Sequence, residues 1–254
     1  MTLELQHAAQ RRMRRIIAGL VALVLILVGG VVALVLGRDD PKPAAAPTTP
    51  AVAPAASGTP VPLPTEAPAT TYTAPTIWVN LPAGATKRDG LPVQFAHTPE
   101  GAAAVAVAAV RSGWTWDPTA AERAAGVYSA SADLAAMREL ARQSTEESRA
   151  SAGLPRTGDL PPGARLAPAV IGVQWTPVSA DEVNVAVLAR VTYSTGNGSP
   201  DTTHLISVLS PIVWSEGDWH TKAGNPGKAP EPFDLGNPAF NSAGWRAIQE
   251  GDAR

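Results

Sequence analysis

The sequence predicts an α+β chain: a single N-terminal transmembrane helix, a Pro-rich tether, and an outer domain of three helices packed on a four-stranded antiparallel sheet. Three observations carry this expectation. Residues 16–36 form a charge-free apolar run. Ten of the 25 prolines fall between Pro41 and Pro75. Beyond residue 77, apolar side chains first recur at helical spacing and then alternate with a period of two.

The run from Ile16 to Leu36 holds 21 residues of Leu, Val, Ile, Ala and Gly only. At helical rise it would cover roughly 31 Å, the thickness of a hydrocarbon core. It has no polar face, which argues against a buried amphipathic helix. It is longer than the apolar centre of a secretory signal, and Val35-Leu36-Gly37 is a poor cleavage site. A permanent anchor is therefore expected. Arg11, Arg12, Arg14 and Arg15 precede the run, while Arg38 is offset by Asp39 and Asp40. Lys and Arg stay on the cytoplasmic side. Residues 1–15 are thus expected in the cytoplasm and everything after the span outside it, at the cell membrane. Gly19, Gly29 and Gly30 would allow close helix packing, so a homo-oligomer joins the membrane among the expected partners.

Residues 37–76 are rich in Pro, Ala and Thr. Proline fixes φ and donates no hydrogen bond, and this segment has almost nothing to bury. It is expected to be a disordered, extended tether, on the order of 100 Å at full stretch.

Residues 77–254 are enough for one domain with its own core. They carry 14 Lys and Arg against 18 Asp and Glu, a net charge of −4. No basic stripe exists to follow a phosphate backbone, which argues against nucleic acid as a partner. The chain has no cysteine, which excludes thiol catalysis and Cys-based zinc sites.

Helix signals fill the first half of the domain. Thr98 is placed to cap a helix with Pro99 at its first position and Glu100 near its positive end, running to Ser112-Gly113. Asp117-Pro118 repeats that grammar, with Gly126 as the expected stop. A third helix over "SADLAAMRELARQSTEESRA" lines one face with Leu134, Met137, Leu140 and Ala141, leaving Arg138, Glu139, Arg142, Glu146 and Arg149 on the others. Gly153 and Pro155 should end it.

Strand signals follow. "RLAPAVIGVQWTPV" is apolar and β-branched. "EVNVAVLARVTYST" alternates, with Val183, Val185, Val187, Ala189, Val191 and Tyr193 on one face. Asn197-Gly198 signals a hairpin into "THLISVLSPIVWSE", and Glu216-Gly217 turns into "DWHTK". Pro168 and Pro211 point to bulges or edges in their strands. The tail reads as loop, with a short helix from Asn241.

Three helices followed by a curved sheet resemble a nuclear-transport-factor-2-like cone. The whole layout also resembles the bitopic inner-membrane scaffold proteins of conjugative type IV secretion systems. The stretches "FAHTPEGAAAVAVAAV" and "VWSEGDWHT" are similar to a group of membrane-anchored actinobacterial proteins found with mobile elements. The resemblance in layout covers residues 16–220. It implies partners among other membrane and secretion proteins, and it brings no catalytic residue with it, because such scaffolds act by contact.

The residues themselves agree with a chain that is no enzyme. The histidines are His7, His97, His204 and His220, with no H-x-x-x-H or H-E-x-x-H spacing, so no metal site is expected. G-x-S-x-G and S-x-x-K are absent. The pairs Glu146-Glu147 and Asp181-Glu182 lie on a helix and in a turn, where adjacent side chains diverge. No phosphate-cradling loop follows a strand, and no cofactor is expected. Seven Trp stand against three Phe. Most should fill the core of a domain whose helices are Ala-rich. Trp114 and Trp116, two apart, are the candidate contact surface. Two functions follow: an assembly component of a conjugation-type machine, or a wall-facing binding module for a small apolar ligand or a cell-wall fragment.

Overall fold

The computed structural model describes residues 72–249. The span expected at 16–36 and the tether up to Thr71 lie outside the described residues. Among those described, no helix is long and apolar enough to cross a membrane.

The α+β class holds, but the four-stranded antiparallel sheet does not. The main sheet has six strands and is mixed, and a second sheet has two. The elements in chain order are β1 (Trp78–Val79), β2 (Thr86–Arg88), β3 (Leu91–Val93), α1 (Pro99–Gly113), α2 (Pro118–Tyr128), α3 (Leu134–Ser151), β4 (Ala164–Pro177), β5 (Glu182–Thr195), β6 (Thr202–Ser215), β7 (Asp218–Thr221), α4 (Pro238–Ser242) and β8 (Arg246–Ile248). The main sheet runs β1-β8-β4-β5-β6-β7. Strands β4 to β7 pair antiparallel in succession, from the segments where a meander was expected. The additions are β8, antiparallel to β4, and β1, parallel to β8. Both are two or three residues long, too short to display an alternation.

Turn chemistry fixes the hairpins. Glu216 and Gly217 both have positive φ, 54° and 81°, between the paired Ser215 and Asp218. This is the doubly left-handed two-residue turn that suits strand twist. Asp89-Gly90 repeats it, at 52° and 80°, between β2 and β3. The Asn197-Gly198 turn is wider than expected. Gly196 and Gly198 take the left-handed conformation, and residues 196–201 separate the strands. Pro168 lies on a stretch of β4 that only β5 flanks. The Pro211 carbonyl accepts from Lys222 N just beyond the end of β7, so its missing N–H falls at the ladder's end.

The helices form as their caps dictate. Thr98 Oγ1 accepts from Gly101 N at 3.1 Å, and Asp117 Oδ1 from Thr119 N at 2.9 Å. Two expectations need correction. Helix α2 continues through Gly126 to Tyr128; this glycine makes room for the Arg138 guanidinium, only 2.5 Å from where a β-carbon would stand. Helix α3 buries Met137 and Ala141, but with them Ser144, Thr145, Ser148 and Arg149 rather than Leu134 and Leu140. Arg149 is enclosed because its Nη2 donates to Gly158 O at 2.6 Å, holding the following loop down.

Helix α1 lies on the sheet, α2 packs on α1, and α3 packs on α2. The main core joins α1 to the alternating face of β5, Val183 through Tyr193. The opposite face is also buried. Ala186 and Leu188 meet Phe240, Trp245 and Ala247 of the tail, in a second, smaller core. A bulge at Ile171 in β4 allows this, because Ile171 joins the second core while Val170 and Val173 join the first. Gly172 then lets the Phe240 ring approach within 3.3 Å of a would-be β-carbon.

Candidate functional site

The alanine-rich helices leave space where larger side chains would meet. A cavity of about 60 Å³ lies among α1, α2, α3, β6 and β7. Ala106, Ala109, Ala121, Ala124, Met137 and Ala141 form most of its apolar wall. Ser129, Ser210 and Thr221 supply hydroxyls. Thr221 Oγ1 donates to Tyr128 O at 3.0 Å. Tyr128 also lines the cavity, and its hydroxyl donates to Pro92 O at 3.1 Å. Burial pushes its pKa up to about 12, so it stays protonated and serves as no base near neutrality. The cavity is under half the roughly 150 Å³ that admits a benzene ring. It suits a short aliphatic group.

The structure brings together "FAHTPEG" and "VWSEGDWHT". The Asp218 carboxylate accepts from Phe95 N at 3.0 Å and from Gln94 N, and it stabilises the left-handed Gln94 (φ 60°). Trp219 Nε1 donates to Ala96 O at 2.9 Å. His97 lies on Trp214, and its Nε2 is 2.9 Å from Asp181 Oδ1. Helix α1 is thus held at its start by the β6–β7 hairpin.

Trp114 and Trp116 are both buried, at 3% and 4% exposure. Trp114 lines the apolar cavity, and Trp116 packs edge-on against Tyr193 with centroids 6.0 Å apart. Neither ring offers a face to a partner in this state. Trp219 and Trp245 are also core residues; Trp175 is half-buried with Arg246 stacked over it, and Trp78 is exposed. His220 is buried beside Ser215, opposite Val213, while His204 pairs with Val191 nine residues earlier in β6, so the two stand far apart. His7 lies outside the described residues. Burial lowers the pKa of His204. The adjacent acids diverge to separate bases: Glu146 to Arg142, Glu147 to Arg156, Asp181 to His97 and Glu182 to Lys222. Among the described residues, no three His, Asp or Glu are grouped to hold a metal ion.

Sequence reading did not find the cavity. The signal was there in the alanines at 106, 109, 121, 124 and 141, small residues on the facing sides of three packed helices. Comparison with protein-family models, curated proteins and solved structures finds no match to this chain.

Proposed function

We propose that the chain is a non-enzymatic, membrane-anchored assembly component of a conjugation or type IV secretion-like machine, whose folded region works outside the membrane through protein contacts. The observation that supports this is where exposed apolar side chains lie. Tyr72, Ile77 and Trp78 are 68%, 50% and 51% exposed, and Val178 is the other large hydrophobic residue so exposed among those described. Three of the four thus fall in the first seven described positions. Trp78 sits in the outermost strand β1, with Ile77 just before it, and no described strand covers the outer side of β1. An open strand edge bearing aromatic and β-branched side chains invites pairing with another chain. Apolar surface of this kind marks contact sites.

The test is photocrosslinking in native cells, with a photoreactive residue placed in the full chain at position 77 or 78. Discrete adducts with membrane or secretion proteins are expected there and not at Arg156, an exposed control. Absence of adducts, or equal adducts from Arg156, overturns the proposal.

The alanine-lined cavity favours a second reading, a binding module for a small apolar ligand. Titration with 1-butanol should shift the Met137 methyl resonance, and Ala124→Leu, which fills the space, should abolish the shift. An unchanged methyl resonance counts against this reading.

A further inference from the structure

A cleft of about 720 Å³ opens between the C-terminal end of α3 and the β5–β6 hairpin. That lies within the roughly 300–1,000 Å³ of small-molecule sites. Its polar wall is made by Ser151, Tyr193, Thr195, Asn197, Ser199 and Thr202; the rest is alanine, glycine and proline, with no charged side chain.

Tyr193 is the fixed element. The residue is only 6% exposed. Its ring packs edge-on against Trp116, with centroids 6.0 Å apart, and stacks on His204 at 5.9 Å. Its hydroxyl has no partner among the described residues and is not sealed from solvent, and the residue lines the cleft. The hydroxyls of Ser151, Thr195, Ser199 and Thr202 likewise have no partner among the described residues. Asn197 Oδ1 accepts from Ser199 N at 3.0 Å, which leaves its amide N–H groups uncommitted.

We propose that this cleft binds a neutral oligosaccharide. Each hydroxyl can donate and accept, as sugar hydroxyls do, and the phenol is held rigid by its packing. The absence of charge in the wall disfavours phosphorylated or carboxylated ligands. An extended peptide would need a free strand edge. At Tyr193, β5 is paired on both sides, with Leu166 and Thr202, so only side chains are available for recognition. The site shares no residue with β1 or with the alanine-lined cavity. It extends the idea of a binding module without resting on either of them.

The test uses the full chain and a tetrasaccharide of N-acetylglucosamine, followed by saturation-transfer NMR and calorimetry. Saturation transfer at millimolar ligand is expected, with amide shifts at Tyr193, Thr195 and Asn197; the shifts need no variant. Tyr193→Phe keeps the ring and removes only the hydroxyl, so it should weaken binding roughly threefold to tenfold at unchanged melting temperature. No transfer, shifts elsewhere, or undiminished binding by the folded Tyr193→Phe variant overturns the proposal. So does binding of tetra-alanine at these residues that the tetrasaccharide fails to displace, which would make the cleft a peptide site.

Discussion

His97 lies flat against Trp214, with ring centroids 4.0 Å apart and planes 13° from parallel. Trp219 closes the edge of the imidazole at 5.3 Å. One side chain thus joins the start of α1 to the β6–β7 hairpin, and through Asp181 to the β4–β5 turn. The contact with Asp181 is largely exposed and adds little. The stacking should carry the coupling. A double-mutant cycle of His97→Ala and Trp214→Ala, measured by urea unfolding, is expected to give about 0.5–1.5 kcal/mol. Additive losses would show that the rings touch without stabilising one another.

Two helical glycines should respond oppositely to alanine. A β-carbon at Gly101 would stand 1.9 Å from Ala96 O, a backbone atom fixed by Trp219. Gly101→Ala is expected to cost at least about 1–3 kcal/mol. At Gly126 the obstacle is the mobile end of Arg138, which can swing into solvent. The helix gains up to about 1 kcal/mol from Gly→Ala, so Gly126→Ala should be neutral or stabilising. Thermal unfolding of both variants checks this, and equal destabilisation would contradict it.

Met137 is 6% exposed and walls the apolar cavity. Met137→Ala enlarges a space that is already present. A loss of about 2–5 kcal/mol is expected in chemical denaturation. A loss well under 1 kcal/mol would mean that α3 collapses onto α2 and closes the gap.

His204 links stability to pH. Burial disfavours its charged form, so its folded pKa lies below the unfolded value of about 6.5. The unfolded chain therefore binds more protons in the interval between the two. Stability from this group is full above about pH 6.5 and falls as pH drops toward the folded value. His204→Gln should flatten that part of the stability profile. An unchanged slope between pH 6.5 and 5 would assign the acid sensitivity to other groups.

How much of this was legible follows from element length and from which face is apolar. The three 14-residue strands β4, β5 and β6 and the three helices announce themselves through period and caps, as Thr98-Pro99 and Asp117-Pro118 do, and β7 through the Glu216-Gly217 turn before it. Strands β1, β2, β3 and β8 have two or three residues, and at that length no periodicity exists. Asp89-Gly90 was a readable hairpin signal for β2 and β3, masked by its short flanks. Ala186 and Leu188, apolar on the face of β5 opposite Val183 through Tyr193, are the trace of the second core. The polar inward face of α3 gave no such trace, because Arg149 is buried by a contact with Gly158 that only the folded loop creates. Trp114 and Trp116 stand out in the sequence as a pair, yet their burial follows from the depth of the α1–α2 connection, which composition does not reveal.

Whether β1 is a contact surface is tested most directly by native gel analysis of the full chain extracted from its native cells, alongside an Ile77→Lys, Trp78→Lys variant. Lysine on an edge strand blocks pairing without disturbing the interior. The unaltered chain should migrate in a complex larger than itself, and the variant as a free chain with an unchanged melting transition. A complex of the same size in both, or none in either, would contradict the assembly role.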